Sequence, residues 1–184
     1  MRPLPLIFFV GALAAVACSD PNGPTATVAN AERTDTLWSL VGTPVSTPSG
    51  YSVDGSHRVR TDLFIDFDFA YNVEADGRRV LLPRAALGID TANAVKPGFR
   101  RMTETFDEIT LAPSGGYTTD SLVVIAPGDR FVIRGRVTCT TLGLPKYAKM
   151  EILQIDDVAR TVSFKVLTDD NCGFRSLEPG LPDR

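Results

Sequence analysis

The sequence predicts an all-β domain, mainly antiparallel and built as a sandwich or curled sheet with at most one short helix, behind an N-terminal signal peptide and a flexible tether. Three observations predict it. Apolar residues recur with a period of two at Leu63, Ile65, Phe67 and Phe69, at Phe131 and Ile133, and at Val162, Phe164 and Val166, which sets one face of an extended chain against a core. Turn-forming residues, Asp76-Gly77, Pro127-Gly128-Asp129 and Asp156 to Arg160, separate these runs. Pro83, Gly88, Pro97 and Gly98 interrupt the centre, where only Arg84 to Leu87 has room for a short helix.

Residues 1–17 carry one basic residue, Arg2, then an apolar segment from Leu6 to Val16 and small residues at Ala15 and Ala17. This is the layout of a signal peptide. A membrane-spanning helix needs about 20 apolar residues, and this segment is shorter and runs into Ser19, Asp20, Pro21 and Asn22. Ala15-Val16-Ala17-Cys18 resembles the lipobox of bacterial lipoproteins, in which the cysteine is acylated and becomes the first mature residue. Ala15 stands where most lipoboxes carry Leu. The resemblance implies lipidation at Cys18 and anchoring to a membrane of the bacterial cell envelope. Each buried CH₂ contributes about 0.8 kcal/mol, so the several chains of a lipoprotein cysteine hold firmly where one holds marginally. Lipoproteins with Asp after the cysteine are often retained at the inner membrane; Ser19 here implies the outer membrane.

Residues 18–34, rich in Pro, Asn, Thr and Ala without apolar periodicity, read as the tether. Residues 35–184 suit a single β-rich domain, a size at which roughly two thirds of the unfolded surface can be buried. Loss of Arg2 with the leader lowers 19 basic residues to 18 against 22 acidic ones, a net charge of −4. With no basic stripe and no basic-aromatic interleaving, nucleic acid is not an expected partner. The expected partners are the membrane, through the lipid on Cys18, and a small-molecule or protein ligand.

With Cys18 assigned to lipid, Cys139 and Cys172 remain, and an even pair in an oxidising envelope favours a disulfide. The alternative is two reduced, separately buried thiols. No neighbouring His or third Cys completes a tetrahedral metal site.

Leu63 to Ala70 reads as a half-buried strand, and Asp76-Gly77 as a type I′ hairpin turn with positive φ at both residues. Phe106, Ile109 and Leu111 fit a mixture of loop and strand, and Leu122 to Ile125 is a short apolar run. Phe131 to Val137, Lys146 to Ile155 and Thr161 to Leu167 then form an antiparallel meander. The meander brings both cysteines to one end. Its outer strands are about 10 Å apart, whereas bridged Cα atoms lie within about 7 Å, so Asp169 to Gly173 must fold back.

Catalytic signals are sparse. His57, the single histidine, lies in the polar stretch DGSHRVR and reads as an exposed or hydrogen-bonded residue; no GxSxG elbow accompanies it. Asp66 and Asp68 share a strand face, where paired carboxylates can act in hydrolysis; the preferred reading is a solvated face that discourages edge aggregation. Asp156-Asp157 and Asp169-Asp170-Asn171 fit turns better than calcium loops. No glycine-rich phosphate loop occurs.

The order LFIDFDFAYN, TETFDEITLAPSGGYTTDS, GDRFVIRGR, KYAKMEILQID and RTVSFKVL, from Leu63 to Leu167, resembles the HmuY-like haem-binding lipoproteins and similar all-β envelope lipoproteins. The resemblance implies a surface-anchored β-domain that takes up haem. Axial haem ligands are His, Met, Cys or Tyr, and that family uses pairs of His or Met. Met150 alternates with Ala148 and Ile152 and reads as core, which leaves His57 with Met102 as the pair to test. The expectation is a lipid-anchored, non-enzymatic envelope protein that binds a ligand or partner, haem among the candidates, with no required cofactor. The alternatives are a structural or assembly lipoprotein without a small ligand and, third, a hydrolase lacking a recognisable motif.

Overall fold

A computed structural model describes residues 25–182. Cys18 and the expected signal peptide lie outside the described residues. Among the described residues ten strands form two antiparallel sheets. The first contains β1 (Glu32–Trp38), β6 (Gly98–Met102), β8 (Arg130–Cys139), β9 (Leu144–Asp156) and β10 (Thr161–Asp169), in the order β1-β10-β9-β8-β6. The second contains β2 (Gly50–Ser52), β3 (His57–Val59), β4 (Phe69–Val73), β5 (Arg79–Pro83) and β7 (Val123–Val124), in the order β3-β2-β4-β5-β7. A 3₁₀ turn, Arg84–Leu87, follows β5 and closes on Gly88 at φ 77°.

The predicted meander is β8, β9 and β10. Uninterrupted alternation sends Phe131, Ile133, Ala148, Met150, Ile152, Val162, Phe164 and Val166 into the core between the sheets. Facing them, Tyr51 and Phe69 lie 5.6 Å apart, Phe69 meets Phe99 edge to face at 5.0 Å, and Tyr51 meets Phe164 edge to face at 5.3 Å. Such pairs each contribute about 0.5–1.5 kcal/mol beyond the burial of area.

The sandwich is closed along both long edges by charge. On one, Arg58 of β3 pairs with Asp35 of β1 at 3.4 Å, and Arg33 reaches the Ser56 carbonyl. On the other, Arg101 of β6 donates to the Val124 carbonyl of β7 at 2.6 Å and pairs with Asp129. The outer face of the first sheet carries a second apolar layer in which Phe106, Ile109, Ala112 and Leu177 cover Val132 and Leu167. Phe106 and Ile109 lie in irregular chain rather than a strand.

The disulfide joins Cys139 at the end of β8 to Cys172, with Cα atoms 5.6 Å apart. Asn171 folds the chain back as the spacing demands, its N–H and side-chain amide both donating to Asp169 Oδ1 at 2.9 Å.

Three expectations need correction. The expected tether to Thr34 gives way to regular structure from Glu32, where β1 begins; before it, the N–H groups of Thr27 and Val28 donate to Asn171 Oδ1, and Asn30 pairs with Gly180. The β4–β5 hairpin is not type I′: Gly77 has φ 84° but Asp76 is not in the positive-φ region. Gly77 N–H donates to Glu74 O and Glu74 N–H to Arg78 O, a three-residue loop that ends on a left-handed glycine. Finally, Leu63 to Asp68 is not a strand; β4 starts only at Phe69.

Candidate functional site

The lost strand is the centre of the site. Its backbone acceptors are taken by two arginines that are distant in sequence. Arg84 Nη1 donates to the Phe67 carbonyl at 2.9 Å and also to the Ile65 carbonyl, while the Arg84 guanidinium lies 5.5 Å from the Phe67 ring. Arg136 Nη2 donates to the Asp66 carbonyl at 3.0 Å and its Nη1 to Asp66 Oδ1 at 2.9 Å. These guanidinium contacts hold the period-two segment as a loop rather than as a paired strand.

Arg136 reaches the loop because β8 is irregular there. The pairing of β8 with β9 shifts register between Arg134 and Val137, as a bulge does, turning a side chain and freeing a backbone donor. The freed Arg136 N–H donates to Asp68 Oδ1 at 2.6 Å, and Arg136 Nε adds a second bond at 3.2 Å. Val53 N–H donates to Asp68 Oδ2 at 2.6 Å. Gly135 permits the close approach: a Cβ there would lie 3.1 Å from Val53 Cβ and 3.3 Å from the Lys146 carbonyl. The same bulge leaves Val137 partly exposed rather than inward with Phe131 and Ile133.

Asp66 and Asp68 are therefore not a solvated pair. Asp68 is 1% exposed, and burial pushes its carboxyl above the usual range against the downward pull of Val53 and Arg136. Asp66 is open to solvent and paired with the same arginine. Both carboxylates serve to fix the loop.

What the loop presents is apolar. Leu63, Phe64 and Ile65 are 59%, 59% and 60% exposed, while Phe67 two residues later is buried against Val59 and Ala70. Beside Phe64 runs a groove of about 350 Å³ whose walls include His57, Arg58, Val59 and Arg60. On the loop's other flank, a cavity of about 460 Å³ is lined by Arg84 and Arg136 together with Asp90, Asn93, Val95 and Pro97.

The residues singled out from sequence disperse. His57 lies exposed on β3, along the edge where β3 meets β1. Met102 ends β6, opposite Arg130, and packs with the Phe106 layer. In the first sheet β6 and β1 are separated by three strands, about 19 Å at the usual spacing. His57 and Met102 thus belong to opposite edges and do not converge on one ligand. Met150 is fully buried in the core. Asp156 Oδ1 accepts the N–H groups of Val158 and Ala159, both at 2.9 Å, as a turn aspartate does, and Asp157 pairs with Arg79. Among the described residues no group of three His, Cys, Asp or Glu side chains is arranged to hold a metal, and no helix is long and apolar enough to cross a membrane.

Sequence reasoning missed Arg84 and Arg136. Gly135 inside an otherwise apolar strand is the signal that points to the second, since an isolated strand glycine marks a bulge or a close backbone approach. Nothing local marks Arg84. The chain matches no protein-family model, no curated protein and no solved structure.

Proposed function

We propose that this chain is a lipid-anchored, non-enzymatic binding module of the bacterial envelope, tethered through Cys18, and that it engages a partner with the loop from Arg60 to Asp68. One observation carries the reading: three consecutive large apolar side chains, Leu63, Phe64 and Ile65, stand in solvent on a loop whose backbone is fixed by Arg84 and Arg136. A flexible loop could fold such residues onto the domain, as Phe67 does. Holding them outward leaves their burial to a partner, and a pre-fixed loop loses little conformational entropy on binding.

The flanks suit a protein surface with mixed charge at its rim. Arg58, Arg60, Asp62 and Asp66 surround the apolar triad, Arg60 and Asp62 paired with each other, Arg58 with Asp35 and Asp66 with Arg136, so contact at the rim gives register more than affinity. The placing of His57 and Met102 on opposite edges weighs against haem capture by that pair. The chemistry of Asp66 and Asp68, both spent on Arg136, favours binding over hydrolysis.

The test is site-specific photo-crosslinking in intact envelopes, with a benzophenone side chain at position 64 and, as control, at Val158, which is 98% exposed on the β9–β10 turn. The expected result is a discrete protein adduct from position 64 that the control site does not give. Equal, diffuse labelling from both sites would overturn the proposal.

A further inference from the structure

Arg84 offers more than the loop uses. Its Nε donates to Asp90 Oδ2 at 2.6 Å and its Nη1 to the loop carbonyls, but Nη2 has no partner among the described residues, although Arg84 is only 5% exposed. Nη2 is the tip of this otherwise buried side chain that opens into the cavity, where an acceptor can reach it. Arg84 lines the cavity of about 460 Å³, which lies within the roughly 300–1,000 Å³ typical of small-molecule sites.

The cavity's other polar groups, on Asp90 and Asn93, reach solvent. Asp90 adopts a left-handed backbone at φ 56°, a conformation that a non-glycine residue keeps only where its surroundings over-determine it. Asp90 Oδ2 accepts from Arg84, and Oδ1 has no partner among the described residues. Asn93 follows, its N–H on the Asp90 carbonyl at 3.2 Å and its carboxamide likewise unpartnered among them.

Charge then narrows the ligand. Arg84 is matched by Asp90, and Arg136 by Asp66 and Asp68. On the cavity wall an incoming anion meets Asp90 and a cation meets Arg84 and Arg136, each arginine already ion-paired, so neither sign gains net attraction. A donor and an acceptor side by side, with no net charge, fit a neutral group that both donates and accepts. The geometry points to a carbohydrate site: one hydroxyl of a pyranose diol accepts from Arg84 Nη2, its neighbour donates to Asp90 Oδ1, and the Asn93 carboxamide bonds a third. Val95, Pro97 and Val137, also on the cavity wall, face the sugar's C–H surface. This inference rests on the reading of the domain as a binding module, but its site is separate from the apolar triad, so glycoside binding and crosslinking at position 64 fail independently.

The test is an NMR titration of the secreted chain carrying Cys18→Ser, followed at the backbone amides of residues 90–95 and at Arg84 Nε–H. The probes are methyl α-D-mannopyranoside, methyl α-D-glucopyranoside and methyl β-D-galactopyranoside, with sodium acetate and methylammonium chloride as charged controls. At least one glycoside is expected to give saturable shifts there with a Kd on the order of 1 mM, and Asn93→Ala, on an exposed loop, weakens it about fivefold to tenfold. Val158→Ser leaves the titration unchanged. Absence of saturable shifts with all three glycosides, tighter binding of acetate or methylammonium, or indifference to Asn93→Ala would each overturn the assignment.

Discussion

Arg136 and Asp68 join the two sheets through one main-chain and one side-chain bond: the Arg136 N–H lies 2.6 Å from Asp68 Oδ1 and the Arg136 Nε 3.2 Å from the same oxygen. Asp68 is 1% exposed and the Arg136 side chain 18%, so this pair is screened little by solvent. Removing Arg136 leaves Asp68 buried without its counter-charge, which costs about 3–5 kcal/mol for well-buried pairs, whereas Arg136 without Asp68 keeps Asp66. Arg136→Ala is expected to destabilise the domain by about 3 kcal/mol, less than the full range because the backbone bond from residue 136 survives. Urea unfolding of Arg136→Ala, Asp68→Asn and the double variant checks this, with a coupling energy of at least about 1 kcal/mol expected between the two sites.

Arg84 controls the loop more than the sandwich. Its side chain is 6% exposed, and it holds the Ile65 and Phe67 carbonyls. Arg84→Met frees both acceptors, so the segment after Arg60 is expected to open locally while the strands stay paired. Limited trypsin digestion should then cut between Arg60 and Thr61 in Arg84→Met and spare that bond in the unsubstituted domain under the same conditions. Equal resistance in both proteins would show that the loop is fixed by other contacts.

Period-two alternation in Thr161 to Leu167 and in Leu63 to Phe69 is equally clean, yet only the first stretch is a strand. The difference lies outside both stretches: β10 finds neighbours on each side, whereas the carbonyls of Ile65, Asp66 and Phe67 are claimed by arginines 17 to 70 residues away. Long-range side-chain to backbone bonds leave no periodic mark. The meander was legible from strand direction and alternation, the pairing of Cys139 with Cys172 from the even count left once Cys18 is assigned to lipid, and the fold-back of Asp169 to Gly173 from the spacing that this pairing demands. The docking of Thr27 and Val28 was not, since its partner Asn171 lies some 143 residues on. The presented triad was misread for the same reason as the strand: exposure of Leu63 and Ile65 depends on Arg84 and Arg136, not on their own neighbours.

The disulfide braces the end of the domain where Thr27 and Val28 dock on Asn171. Cys139 and Cys172 are separated by 33 residues, and in the chain-entropy model a loop of that size contributes about 4 kcal/mol. Replacing both by Ala is expected to lower stability by about 3–4 kcal/mol and to speed amide exchange at Thr27 and Val28, whose acceptor Asn171 adjoins Cys172. Exchange measured by mass spectrometry on the two proteins tests both parts.

Lys149 is 1% exposed, its Nζ donating to the Ile109 carbonyl at 3.1 Å and lying 4.5 Å from the Phe106 ring centroid. Burial holds its pKa below the ordinary 10.5. The native state therefore gives up this proton at lower pH than the unfolded chain, unfolding takes a proton up, and this group's contribution to stability rises with pH through that window. Lys149→Met removes the term. The variant is expected to be more stable than the unsubstituted domain by about 1–2 kcal/mol near neutral pH, with the gap closing as pH approaches 10.5. Denaturant unfolding at stepped pH checks the sign; a gap that widens with pH contradicts the burial argument.

Substituting the triad separates binding from folding. Leu63→Ser, Phe64→Ser and Ile65→Ser alter side chains already about 60% in solvent, so each is expected to change stability by no more than about 0.5 kcal/mol. A loss of several kcal/mol in unfolding experiments would mean that the triad serves the domain's own packing.

The most direct test of a partner-engaging loop is radical footprinting of Phe64, performed on the protein in intact envelopes and on the purified protein. Oxidation of Phe64 and Leu63 is expected to fall several-fold in the envelope while Val158 at the opposite end is modified equally in both. Equal modification of Phe64 in the two preparations would contradict the account.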